Sequence, residues 1–382
     1  MPTQLKDVTT PCAVIDRQRF IRNCQNMSAR AARLGVALRP HAKTHKSPEG
    51  LAHQLAGDHH SVTVSTLAEA RAFARAGVRD ILWAVPPALE QISHIFELNA
   101  WPEIERLDVL CDHPTILEAI AREGALRQCA LGVWLEIDCG DARGGLSPEG
   151  QEIQRLAERA QASPWIELRG LLTHGGQSYA CTTSEEIVQV AEQERDAIVR
   201  CAQRLRALGI EIHGVSLGST PTLTHAAGLE GVTEVRPGNY ALFDAFQHAI
   251  GSCALDEIAY SVVATIIGRY PERGTLVVNA GALALSKDPG PTHVDPECGY
   301  GIVVDAEQKR IDGLKIVSLS QEHGVIKVEG GLRVEAEDPR WHIGERVRII
   351  PNHSCLSAAL FERYHVVEGD TVVEQWHPAR GW

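Results

Sequence analysis

The sequence predicts an α/β chain in which a (β/α)8 barrel precedes an all-β domain. Eight short apolar runs, at 36–38, 61–64, 80–85, 107–111, 131–137, 166–172, 212–217 and 232–235, alternate with alanine-, leucine- and arginine-rich segments of helical period. Beyond about residue 245 that period fades. Short β-rich runs at 258–268, 274–278, 301–304, 312–318, 324–328, 344–350 and 371–376 take over, punctuated by glycine turns such as Asp312-Gly313 and Gly330-Gly331. The 382 residues, 44% apolar and 23% charged, suffice for more than one core. The expected domains are 17–245 and 246–382, with 1–16 open to joining the second. Periodicity does not show closure, so a doubly wound sheet competes with the barrel.

In chain order, residues 10–15 form a strand that ends at Asp16. Asp16 then caps a helix carrying Phe20, Ile21, Cys24 and Met27 at helical spacing. The first barrel strand runs into Arg39-Pro40-His41-Ala42-Lys43-Thr44-His45-Lys46, and a helical segment follows from Ser47. Lys43 therefore stands at the C-terminal end of a strand, where such barrels place their chemistry. Its basic and imidazole neighbours would lower an ammonium pKa, and a neutral amine suits Schiff-base chemistry. The same eight residues also read as a solvated basic loop.

Further helical segments occupy 66–76, 114–123 and 185–208. The turn Glu136 to Gly145 follows the fifth run and sets Arg143 at the barrel mouth, or simply on the surface. His174 lies in Thr173-His174-Gly175-Gly176 after the sixth. Ser216-Leu217-Gly218-Ser219-Thr220-Pro221 ends the seventh ahead of a helix, and backbone N–H groups with hydroxyls there make a phosphate cradle. Arg236-Pro237-Gly238-Asn239-Tyr240 follows the eighth, in the second loop where barrels bind phosphate. A strand-end lysine together with a phosphate cradle suggests pyridoxal phosphate. In the second domain, His353 and Cys355 share one face if the strand before them continues, and imidazole with thiolate suits zinc. Glu322-His323 offers a supporting polar pair, or a plain loop.

Composition narrows the partners. The net charge of −12 argues against nucleic acid and anionic membranes, so an anionic ligand needs a local basic pocket. Residues 1–7 show no signal pattern, and apolar runs such as 81–89 are broken by Pro86 and Pro87, so no membrane span is expected. Ten scattered cysteines without a Cys-x-x-Cys pair fit a reducing cytosol.

The segments Arg39 to Lys46, Glu136 to Gly145, Gly170 to Gly176 and Arg236 to Tyr240 resemble the fold-type III pyridoxal-phosphate enzymes, the group of alanine racemase. With Ser216 to Pro221, Glu322-His323-Gly324 and His353-x-Cys355, the chain resembles the D-serine dehydratase and D-threonine aldolase family from about Thr10 to Trp382. The resemblance implies Lys43 as the cofactor-linking lysine, Arg143 facing the phenolic oxygen and His174 beside the pyridine ring. It implies Arg236 near the ring nitrogen, and Gly218, Ser219, Thr220, Gly238, Asn239 and Tyr240 in the phosphate segments. His353 and Cys355 match the family's pair for a divalent metal: zinc, or manganese, cobalt or magnesium. The implied reaction removes water from a 3-hydroxy D-amino acid, with 3-hydroxy-D-aspartate giving oxaloacetate and ammonia, and D-serine giving pyruvate. A homodimer is implied as well. An aldolase of the same fold is the alternative, ahead of a racemase or a non-catalytic cofactor-binding protein. Two departures stand out. The aldolases carry a further histidine where this chain has Ser178-Tyr179-Ala180, and the family usually shows aspartate at Asn279.

Overall fold

The computed structural model describes residues 3–55, 61–328 and 341–382, so the expected Gly330-Gly331 turn lies outside it. The chain opens on strand β1 (Cys12–Asp16) and helix α1 (Arg17–Arg33). Asp16 Oδ1 accepts the backbone N–H of Arg19 at 2.9 Å, which satisfies one of the amides a helix start leaves open. Packing divides the chain into two compact units. One joins the chain up to Asn26 to Asn239–Pro378, and the other is Met27–Gly238 with Ala379–Trp382. The sequence reading places the divide at 245, whereas packing places it between Gly238 and Asn239.

In the Met27–Gly238 unit the strands are β2 (Ala37–Leu38), β3 (Ser61–Val64), β4 (Asp80–Trp83), β5 (Arg106–Cys111), β6 (Leu131–Glu136), β7 (Ile166–Leu172), β8 (Gly214–Leu217) and β9 (Glu234–Val235). They run parallel in the order β2-β9-β8-β7-β6-β5-β4-β3, each within or one residue beyond a run read from the sequence. The bridge between His41 and Thr63, with Thr63 N donating to Pro40 O at 2.9 Å, joins the two edges. The sheet is thus a closed barrel rather than a doubly wound layer. Between the strands lie α2 (Pro48–Gln54), α3 (Leu67–Arg75), α4 (Ile92–Asn99), α5 (Pro114–Arg127), α6 (Gln151–Ala162), α7 (Ser184–Ala207) and α8 (Thr220–His225). The bore is packed with side chains. Trp134 sits with Leu82, Leu110 and Leu172, and its indole N–H donates to Asp108 Oδ2 at 2.9 Å. A Cβ at Gly214 would strike that indole, so the ring fits only against a glycine.

The other unit contains α9 (Ala245–Ala249), β10 (Tyr260–Tyr270), β11 (Thr275–Val278), α10 (Ala282–Leu285), β12 (Ile302–Val304), β13 (Arg310–Leu319), β14 (Gly324–Val328), β15 (Arg346–Ile350), α11 (Ser354–Ala358), β16 (Tyr364–Glu368) and β17 (Thr371–Trp376). The sheet order is β11-β14-β13-β12-β15-β10-β1-β16-β17, and β11 also pairs with β10, so β10 to β15 close on themselves. β1 lies between β10 and β16. Asp312-Gly313 is not a hairpin turn. It falls inside β13, where the register slips between Val304↔Arg310 and Ile302↔Lys315, and the turn signal marks this bulge. The hairpin turn is at Asp305–Lys309, closed by Gln308 N donating to Asp305 O at 3.0 Å. β16 is an element the sequence reading lacks.

Asn279 follows β11 and needs its amide. Oδ1 accepts Thr265 N at 2.8 Å, while Nδ2 donates to Thr10 O and Thr10 Oγ1, both at 3.0 Å. A carboxylate could not make the donation to the carbonyl. Asn279→Asp is therefore expected to lower unfolding stability by about 1–3 kcal/mol, measured by urea denaturation. An unchanged midpoint would remove the amide's structural role.

Candidate active site

The Met27–Gly238 unit gathers its polar side chains at the C-terminal ends of the barrel strands. Lys43 lies in a short 3-10 turn, Ala42–Thr44, directly after β2, and its backbone N–H meets the ring Nδ1 of His41 at 3.4 Å. Three of the basic residues around Lys43 in sequence have partners elsewhere. Arg39 is buried and donates from Nε to Glu234 at 3.0 Å and from Nη1 to Asp80 at 2.8 Å. Lys46 pairs with the buried carboxylate of Glu69 at 2.9 Å, and His45 bonds Gln54 at 2.8 Å. Each of the three has its own partner, which draws its side chain away.

His41, from the same loop, and His174, from another strand end, both feel the charges of Lys43 and Arg236. His41 is held neutral by burial, and then by Lys43, Arg236 and His174. His174, after β7, is pushed down to about 3 by burial and by Lys43, Arg143 and Arg236. A neutral ring then donates from Nδ1 to Gly218 O at 3.4 Å. Arg236 is buried after β9, donates to Ser216 Oγ, and donates to Thr173 O at 2.6 Å. Burial brings it down to about 10 against the support of Glu234, Glu194 and Glu136, so it stays a cation near neutrality. Arg143 is 60% exposed, with its guanidinium 3.8 Å from Glu136 and 3.9 Å from Asp141.

The segment after β9 comes close to Lys43's turn, with His41 N donating to Pro237 O at 2.9 Å. A Cβ on Gly238 would come within 3.1 Å of His41 O and Cβ. That close backbone approach leaves room only for glycine. Gly218 adopts φ +116, and Ser219 caps α8 by accepting Thr222 N at 3.2 Å. Thr220 then stands at the first helical position, where a backbone N–H points along the axis toward an anion. Lysine, neutral imidazole, buried guanidinium and this helix start together fit pyridoxal phosphate.

The remaining residues lie in the other unit. Tyr240 is fully buried. The Asn239 side chain is turned to Asp244 at 2.7 Å, Ser354 at 3.1 Å and Cys355 Sγ at 3.7 Å. The strand before His353 does not continue. His353 is extended but begins α11, and Cys355 lies inside that helix, so the pair meets through a helix start and not through alternation. His353 Nδ1 lies 3.2 Å from Asp288 Oδ2, an arrangement that leaves Nε2 to a metal. Burial alone would lower the pKa of His353, but Asp288, Cys355 and Asp244 together raise it to about 11. These surroundings favour positive charge at the ring, and imidazole with thiolate fits a divalent metal such as zinc. Among the described residues, no group of three or more His, Cys, Asp or Glu forms that could hold a metal ion. Glu322 and His323 are exposed in the turn between β13 and β14.

Four carboxylates in these clusters escaped the sequence reading: Glu234, Glu194, Asp244 and Asp288. Glu194 alone left a signal. It falls on the buried stripe of α7 with Ile187, Ala191, Ile198 and Cys201, where a charge is out of place.

Residues 15–245 match the family described as alanine racemase, N-terminal domain, and 259–367 match the putative serine dehydratase domain. The chain is 38% identical to the D-threo-3-hydroxyaspartate dehydratase of Delftia sp. (strain HT23), over all of both chains. It is 35% identical to the D-serine dehydratase of Dictyostelium discoideum, covering 99% of this chain and 98% of the relative. Among solved structures, a cysteine-to-alanine mutant of D-threo-3-hydroxyaspartate dehydratase in the metal-free form superposes with a TM-score of 0.92 at 37% identity, over 100% of each chain.

The buried histidines set a pH dependence. Unfolded histidine titrates near 6.5, whereas His45 and His174 titrate near 4 and 3 in the fold. Between those values the unfolded chain binds more protons, so stability falls as pH drops through 6.5. The urea midpoint is expected to fall between pH 7 and 5, and the fall to be shallower in His45→Gln. A midpoint independent of pH over that span would contradict the assignment.

Proposed function

The chain belongs to the fold-type III pyridoxal-phosphate enzymes of the D-serine dehydratase and D-threonine aldolase family, and from that premise we propose a metal-dependent dehydratase of 3-hydroxy D-amino acids. It is a carbon–nitrogen lyase, best matched to D-threo-3-hydroxyaspartate as substrate, with D-serine as a related one. The observation that carries the reading is the pairing of a strand-end lysine beside neutral imidazoles with a separate thiolate–imidazole pair.

When bound, pyridoxal phosphate supplies an electron sink for the substrate's α-carbon, and a divalent metal a Lewis acid for its β-hydroxyl. Lys43 would hold the cofactor, and its Nζ would take the substrate's α-proton. His174, neutral through its low pKa, would lie beside the pyridine ring without adding charge. Arg236, which keeps its proton, would serve the ring nitrogen as a donor. Arg143 would serve the phenolic oxygen, and Gly218, Ser219, Thr220, Gly238, Asn239 and Tyr240 would supply the phosphate segments. His353 and Cys355 are the metal ligands, with Asp288 orienting the imidazole. Ser178 is buried and bonds Gly175 O at 2.7 Å, so the position where the aldolases carry their extra histidine is taken up by loop structure.

The working form is read as a homodimer, from the family resemblance. No helix among the described residues is long and apolar enough to cross a membrane, and all ten cysteines are free of disulfides, in keeping with a cytoplasmic enzyme.

Two experiments test this. D-threo-3-hydroxyaspartate should yield ammonia and oxaloacetate, and D-serine ammonia and pyruvate more slowly, with the L-isomers inert. Lys43→Ala should lose about 10²–10⁴-fold or more in rate, together with the borohydride-fixed pyridoxyl label. Glycine and glyoxylate as the main products would make the protein an aldolase instead. The second experiment concerns the metal. Chelation should abolish elimination while the cofactor's absorbance persists, and His353→Ala and Cys355→Ala should show reduced metal content by mass spectrometry. Full activity after chelation would leave the pair structural.

A further inference from the structure

We propose that Glu194 is a positioning residue that sets the two loops holding the cofactor's ring and phosphate relative to each other. The inference rests on the cofactor reading above. Glu194 lies in the middle of α7, and its side chain is wholly buried. One carboxylate oxygen, Oε1, accepts the backbone N–H of Gly175 at 2.6 Å and that of Gly218 at 2.9 Å. These amides belong to different loops, one after β7 and one after β8. The same loops meet a second time through His174 Nδ1 and Gly218 O at 3.4 Å. The four residues therefore close a ring: His174, Gly175, Glu194, Gly218. On one side of it stands the imidazole assigned to the pyridine ring. On the other side, Ser219 and Thr220 start α8, in the segment assigned to the phosphate.

Helix packing does not require a carboxylate at this point. Its neighbours on the buried stripe are Ala191, Ala197 and Ile198, and burying a charge is unfavourable unless it is hydrogen-bonded. Nor is the fit accidental in shape. A Cβ on Gly175 would come within 2.9 Å of the Glu194 carboxylate, so only glycine lets the loop close onto it. The Gly218 N–H is also spent on Glu194, which leaves Gly218 to shape the phosphate segment without donating to the ligand through that group. Because both loops are fixed to one oxygen atom, the spacing between imidazole and phosphate segment is fixed as well.

The test is a titration of the cofactor-free protein with pyridoxal 5'-phosphate, followed by tryptophan fluorescence. Glu194→Ala is expected to raise the dissociation constant about tenfold or more, because two hydrogen bonds to a charged acceptor are lost. Glu194→Gln keeps a carbonyl acceptor in the same place and should stay within about threefold of the parent. Amide hydrogen exchange in the cofactor-free protein should quicken at Gly175 and Gly218 in Glu194→Ala and remain near the parent in Glu194→Gln. Should Glu194→Ala fail to fold, Gly175→Ala replaces it, since the added methyl displaces the carboxylate and should weaken binding similarly. Parent-like affinity and exchange in the alanine variants would overturn the proposal while leaving the cofactor reading intact. A parent protein that takes up no pyridoxal phosphate would overturn both.

Discussion

The barrel mouth depends on one buried carboxylate, Glu234. Its Oε2 accepts Arg39 at 3.0 Å, and its Oε1 accepts Ser216 Oγ at 2.6 Å, while Ser216 in turn accepts from Arg236. Arg39 continues to Asp80, and Arg236 to the carbonyl of Thr173. A single chain of charge-assisted bonds thus ties together the ends of β2, β4, β7, β8 and β9. Taking these charges out of water costs several kcal/mol each, and the cost is offset only because the acceptors are satisfied at good geometry. Burial raises the Glu234 pKa, but Arg39, Ser216 and Arg236 outweigh it, so the group stays ionised. The lysine turn begins three residues after Arg39, so its anchor is this network.

Histidine takes opposite characters in the two units, and the difference is one of surroundings. His41 and His174 sit among Lys43, Arg236 and each other, where burial and positive charge both remove the proton. A neutral ring can pack against a flat aromatic system and accept or donate a hydrogen bond. His353 sits among Asp288, Asp244 and Cys355, where negative charge outweighs burial. There the ring attracts a cation, whether proton or metal. The chain has net charge −12, yet it places positive charge at the lysine and negative charge at the metal pair. The local arrangement decides the chemistry.

All eight barrel strands were legible, because each is a short, largely apolar run bounded by turn residues, and most of them are buried along their length. The strand-end motifs were legible for the same reason: parallel strands deliver their last residues to one face. The partners were harder to see. Glu234, Asp244 and Asp288 look like surface acids in a chain rich in them, and only long-range packing reveals that the first two are buried and the third is partly covered beside His353. The basic run around Lys43 misled in the opposite direction, since Arg39, His45 and Lys46 each find a partner that sequence proximity does not show. Asp312-Gly313 misled because a turn signal serves a bulge as well as a hairpin. β16 was missed, though its residues Tyr364–Glu368 are mostly buried, because His365 and the flanking acids interrupt the apolar pattern.

The loop after β7 bears on which bond such a site can break. Retro-aldol cleavage needs a base for the β-hydroxyl proton, and the aldolases of the resemblance carry a histidine in this loop. Here Ser178 occupies the neighbourhood, buried, with its hydroxyl bonded to Gly175 O and 3.1 Å from Ser219 Oγ. It links the same two loops that Glu194 joins from below. An imidazole in its place would lack the hydroxyl that bonds Ser219, the residue that caps α8. The loop as it stands uses this position for hydrogen bonds within and between loops, where the aldolases of the resemblance carry a histidine.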